Sequence, residues 1–179
     1  MKARFKSIVL SALGAIAAFS AVTSTSCEPD KCKAVVCAYD GVCKEGTCIC
    51  RTGYEGYQCE TITRDRYKGV WTVFEKGTYT LPAQYDVVIE YGPTMIDLNI
   101  RNFYNKFKTE TVSVTIKGDT IFIPQQTIED YTIQGKGYIS KSNYYGENGL
   151  IKMSYAIRNP DGTVNDFGLN AGVVSEWNR

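Results

Sequence analysis

Seven cysteines lie between Cys27 and Cys59, and none follows. Thiols this dense pair as disulfides, hold a soft metal, or act as nucleophiles. Histidine is absent from the chain, which removes Ser-His-Asp and Cys-His catalysis and every imidazole ligand. No Gly-x-x-x-x-Gly-Lys loop is present to cradle a phosphate. Two carboxylate pairs are of the type that glycoside chemistry uses, Asp86 with Glu90 on one strand face and Glu129 beside Asp130. Both read more simply as the solvated side of strands or turns. Lys106-Phe107-Lys108 is the nearest approach to a basic-aromatic patch and is too short for nucleic-acid work. Twenty Lys and Arg against nineteen Asp and Glu give no field that would gather nucleic acid. These residues predict a non-enzymatic protein with no cofactor, no metal and no nucleic-acid partner.

Which thiol chemistry applies depends on the compartment. Lys2, Arg4 and Lys6 precede an apolar stretch from Ile8 to Val22, and small polar residues Thr23 to Ser26 follow. That order is a signal peptide over residues 1–26, too short and too rich in Ala and Ser for a comfortable membrane span. Its removal takes away three cations and no carboxylate, leaving a slightly acidic mature chain. Outside the cytoplasm, clustered cysteines mean disulfides.

Six of the seven follow the spacing C-x4-C-x5-C-x4-C-x-C-x8-C through Cys32, Cys37, Cys43, Cys48, Cys50 and Cys59. Spacing alone leaves about 15 pairings open. The segment ends Cys50-Arg51-Thr52-Gly53-Tyr54-Glu55-Gly56-Tyr57-Gln58-Cys59, and together with the preceding Cys48-x-Cys50 it resembles the EGF-like family over residues 32–60. The resemblance implies the pairs Cys32–Cys43, Cys37–Cys48 and Cys50–Cys59. So short a segment cannot bury enough apolar surface to fold unaided, and bridges of this loop length each contribute roughly 2–3 kcal/mol. Gly53 and Gly56 are expected to give the last loop its backbone freedom, with Tyr54 as a lid over the disulfides. The calcium-binding members of the family carry acidic or amide residues ahead of the first cysteine. Lys31 stands there in this chain, and the residues between Cys43 and Cys48 supply too few oxygens for a hard cation.

Cys27 is left over. It follows Ser24-Thr25-Ser26 directly after the apolar stretch, and this resembles a bacterial lipoprotein cleavage site, with Ser24 where a large apolar residue is usual. The resemblance implies a lipid on Cys27, a tether over residues 27–31, and an outer-membrane lipoprotein exposed at the cell surface.

Residues 61–68 read as a charged linker. From Gly69 onward the apolar residues alternate with period two. Val87 and Ile89, Ile96 to Ile100, Val112 to Ile116, Ile121 and Ile123, Tyr131 to Ile139, Ile151 to Ile157 and Gly172 to Trp177 belong to successive strands, with turns at Lys117-Gly118-Asp119-Thr120 and Asn159-Pro160-Asp161-Gly162. About eight strands and no convincing helix predict a mainly β domain over residues 69–179, an eight-stranded antiparallel up-and-down barrel, with a two-sheet β-sandwich as the alternative. Gly69-Val70-Trp71 opening the first strand resembles the Gly-x-Trp motif of the lipocalins and the wider calycin group. That likeness implies a tryptophan closing the barrel floor near an arginine from late in the chain, Arg158 or Arg179 here.

Thirteen tyrosines remain. Tyr85, Tyr91, Tyr131, Tyr138 and Tyr155 fall in strands and read as core or barrel lining. Tyr79, Tyr104, Tyr144 and Tyr145 fall in loops, and Tyr144-Tyr145 is the expected partner-binding element. The reading is a surface protein, held in the membrane by the lipid on Cys27, that binds a protein or glycan. The alternative is a carrier of a small apolar ligand inside a calycin-like barrel.

Overall fold

The computed structural model describes residues 30–179; residues 1–26, expected to be a signal peptide, and Cys27, expected to carry a lipid, lie outside the described residues. The period-two alternation builds one antiparallel sheet that curls until its first and last members meet. Its strands are β5 (Gly69–Glu75), β6 (Ala83–Tyr91), β7 (Asp97–Phe103), β8 (Phe107–Lys117), β9 (Thr120–Ile128), β10 (Tyr131–Ser142), β11 (Gly146–Arg158), β12 (Val164–Phe167) and β13 (Ser175–Asn178). Neighbours run β10-β9-β8-β7-β6-β5-β13-β11-β12, and β10 also pairs with β11. Eight strands therefore close an up-and-down barrel, and no sandwich forms. The short β12 lies on the same side of β11 as β13, pairing Ala156–Arg158 while β13 pairs Leu150–Met153.

Side chains fill the barrel. Trp71 and Val73 from β5, Val87 and Ile89 from β6, Leu98 and Ile100 from β7, and Trp177 from β13 are fully buried. An eight-stranded barrel is just narrow enough to be filled in this way. The wall thins at Gly135, where an added Cβ would fall 2.5 Å from the Tyr155 Cβ.

Tyr138 does not line the interior. Gly137 and Ile139 on either side of it are buried, so the side chain between them points outward. Tyr131 and Tyr138 are seven residues apart, an odd number, and cannot share a strand face. Tyr91 ends β6 beyond the last core layer and is part exposed, with Arg64 and Lys68 each 4.2 Å from its ring centre. Phe107, the aromatic of the short Lys106-Phe107-Lys108 run, is fully buried at the start of β8.

Ahead of the barrel, three disulfides join Cys32 to Cys43, Cys37 to Cys48 and Cys50 to Cys59. They staple a hairpin of β1 (Val42–Lys44) and β2 (Thr47–Ile49) to the loop that ends at Cys59. Residues 61–68 are not a free tether. β4 (Thr61–Ile62) pairs with β3 (Tyr54–Glu55), a 3-10 turn over Thr63–Arg66 follows, and Tyr67 is fully buried.

Candidate interaction site

One end of the barrel faces the disulfide module. Trp71 closes it, donating its indole N–H to the Tyr67 carbonyl at 2.7 Å. The Arg179 guanidinium lies 4.5 Å from the centre of the Trp71 ring and donates to the Lys68 carbonyl at 2.9 Å and the Arg66 carbonyl at 2.8 Å. One planar cation thus covers the exposed side of the floor and holds the segment that enters the first strand. Arg158 is at the other end, donating to the Gly162 carbonyl.

Arg66 joins module to barrel. It donates to Asp119 in the β8–β9 turn at 2.6 Å and to Glu55 in the module at 3.0 Å. Gly53, with φ of 92°, lies so close to the barrel that an added Cβ would meet the Met95 Cβ at 3.0 Å. Tyr54 stacks on Tyr39 with ring centres 4.3 Å apart.

Between these contacts the two parts leave a half-open cleft of about 550 Å³. The module supplies the loop Cys50–Glu55; the barrel supplies Ile96, Ile116, Lys117 and Phe122. Phe122 points outward from β9 and is 40% exposed, which for a phenyl ring leaves one face in water. The lining of the cleft is more apolar than polar.

No protein-family model matches this chain, and no curated protein does. Among solved structures, a Bacteroides ovatus protein of unknown function is similar, with a TM-score of 0.41 and 12% identity over 63% of this chain. The match spans 41% of that protein's length. At that level the likeness assigns no function.

The far end of the barrel is sealed by groups that sequence reasoning missed. Glu75 is buried inside, and its carboxylate accepts from Tyr85 at 2.7 Å, Tyr155 at 2.8 Å and Ser175 at 2.9 Å. Ser175 in turn accepts the Trp177 indole N–H at 2.8 Å. Burial raises the Glu75 carboxyl above the usual carboxylate range, and the three hydroxyl donors oppose that shift. The signal was present: Glu75 shares the inward parity of Trp71 and Val73. Buried Asn165 donates to Tyr104 at 3.1 Å and accepts from the Tyr79 backbone N–H at 2.9 Å. Tyr104, expected as an exposed loop aromatic, is tied down there and packs edge-on against Phe167.

Tyr144 and Tyr145 sit at the tip of the β10–β11 hairpin, on the same end of the barrel as the module. Tyr144 is 87% exposed, and the two rings meet edge to face at 4.9 Å. Asp86 bonds to Thr72, and Glu90 pairs with Arg101, both on the solvated wall. Glu129 and Asp130 form the β9–β10 turn. Gly56 also has positive φ, and the Glu60 carboxylate packs where its Cβ would be. Among the described residues no cluster of His, Cys, Asp or Glu could hold a metal.

Proposed function

We propose that the protein is an exported, lipid-anchored binding protein of the cell surface, with no catalytic role, and that its partner, a protein or glycan, sits in the cleft shared by the module and the barrel. The observation that carries this reading is the cleft itself: two differently built units turn apolar side chains toward one opening, and Phe122 is left with a bare ring face. The Tyr144-Tyr145 tip on the same end offers further aromatic surface. The filled interior favours this reading over carriage of an apolar ligand. Two resemblances also support it. The first-to-third, second-to-fourth, fifth-to-sixth disulfide order fits an EGF-like module on a stalk, and Arg179 over Trp71 fits a calycin-like floor. The signal peptide and Cys27 supply the anchor in this reading, through a lipid that inserts in the outer membrane.

Photocrosslinking on intact producing cells tests it. A benzophenone amino acid at Thr52, on the cleft rim, is expected to give a discrete adduct. The same group at Val70, exposed on β5 away from the cleft, is expected to give none. Absence of any adduct at Thr52 would overturn the reading.

A further inference from the structure

The cleft does not stop at Phe122. A second depression of about 400 Å³ on the outer barrel wall is lined by Phe122, Gln125, Gln134 and Lys136. A third, of about 110 Å³, is lined by Gln125, Gln134 and Arg158. Each shares residues with the next, so the three form one groove along β9 and β10, from the module to the far end of the barrel. Along β9 that is roughly 20 Å. We infer that this groove is a binding site for an acidic oligosaccharide several sugar rings long. The inference deepens the binding role proposed above and rests on it.

Three features choose this occupant. The first is charge. Lys117, Lys136 and Arg158 line the groove and take part in no ion pair among the described residues, while the carboxylate of Glu55 is held by Arg66. A chain of carboxylates or sulfates complements that wall. The second is hydrogen bonding. The side chains of Gln125 and Gln134 are exposed, and amides of this kind serve sugar hydroxyls as both donor and acceptor. The half-bare Phe122 ring lies where the first two depressions meet, a platform for the apolar face of a sugar.

The third feature concerns strand edges. An extended peptide would bind most simply by adding a strand to a free edge. The one nearby gap in the barrel is between β8 and β9, whose ladder covers only Thr115–Lys117 against Thr120–Phe122. Pro124 lies two residues beyond Phe122 along β9 and has no N–H to continue the ladder. The Gln126 side chain fills the gap: its amide oxygen accepts from the Ser113 N–H at 3.0 Å, and its amide nitrogen donates to the Ser113 carbonyl at 2.7 Å. The adjoining edge is thus already capped, which disfavours a peptide strand. β9 and β10 change register between Ile133 and Gly135, with the extra residue on β9 at Pro124 and Gln125, while β10 keeps its alternation and presents Gln134 and Lys136 on the outer face.

Calorimetric titration of the full exported chain in micelles tests the assignment, with oligogalacturonate, a neutral malto-oligosaccharide of equal length, and polyglutamate. Oligogalacturonate is expected to bind at least about tenfold tighter than the neutral sugar at low salt, with the margin shrinking as salt rises. Phe122→Ala and Lys136→Glu are each expected to weaken it by about tenfold, and Arg101→Ala, outside the groove, by less than about twofold. Lys136 is a solvent-exposed side chain, so its variant keeps the test valid should Phe122→Ala fail to fold. Tighter binding of polyglutamate than of oligogalacturonate would overturn the sugar assignment. Failure of all three ligands to bind would overturn the groove as an acidic-ligand site, and the Thr52 crosslink decides separately whether the protein binds a partner in the cleft.

Discussion

Glu75 is the residue where burial and charge conflict most sharply. Removing its carboxylate would leave the Tyr85, Tyr155 and Ser175 hydroxyls facing one another in the core, so Glu75→Ala is expected to cost about 3 kcal/mol in urea denaturation. Glu75→Gln keeps the shape and separates charge from packing. Because the folded protein raises the Glu75 pKa, the native state holds its proton more tightly than the unfolded chain does. The stability so gained is fully present below the ordinary carboxylate range and is lost as pH rises through the raised folded value. Relative to Glu75→Gln, the wild type is expected to lose stability as pH rises from the ordinary carboxylate range through the raised folded value. A pH-independent difference would show that the carboxyl titrates alike in the folded and unfolded chains, with no raised folded pKa. The parity of β5 made this residue legible, since Trp71, Val73 and Glu75 point the same way. The identity of its partners was not legible, because Tyr155 and Ser175 come from strands some 80 and 100 positions away.

At the scale of elements, the strands were legible because each faces water on one side only, and that asymmetry writes period two into the sequence. Their ends were less so. Phe103 and Phe107 flank a short turn in which Tyr104 and Asn105 take positive φ, as does Asn102 just before it in β7, and local pattern offers no glycine to announce it. The β9–β10 turn is a related case. Glu129 and Asp130 have φ of 47° and 67°, the left-handed region that Asn-Gly occupies more comfortably. Replacing the pair with Asn-Gly is expected to raise stability by about 1 kcal/mol, read as a higher urea midpoint with an unchanged slope. No gain would mean that these side chains make contacts of equal worth. The cysteine pairing was not legible from spacing at all; it came only through the resemblance of the Cys48 to Cys59 segment to a known module. The module–barrel cleft was equally hidden, since neither Phe122 nor Ile96 carries any mark in sequence of what will face it.

The whole molecule depends on how firmly the module is held, because the cleft exists only while the loop Cys50–Glu55 stands opposite β8 and β9. Several contacts fix it: the Gly53 backbone against Met95, Arg64 donating to the Thr94 carbonyl at 2.7 Å, and the Thr63 N–H donating to the Gly53 carbonyl at 3.0 Å. Arg66 is the hub, since its side chain is only 17% exposed and it ties Glu55 to Asp119. Asp119 is largely in water, so the pair is screened on that side, and Arg66→Ala is expected to cost about 2 kcal/mol rather than the full penalty of a buried ion pair. The loss should fall on the docking contact and leave the disulfides and the barrel core as they are. Hydrogen exchange is the direct measurement. In Arg66→Ala, the Thr63 amide at the module contact and the amide of Tyr67 should exchange faster, while those of Val87 and Ile100 in the barrel wall stay protected. Uniform acceleration throughout the barrel would mean that module and barrel form a single cooperative unit, with the cleft as rigid as the core beneath it.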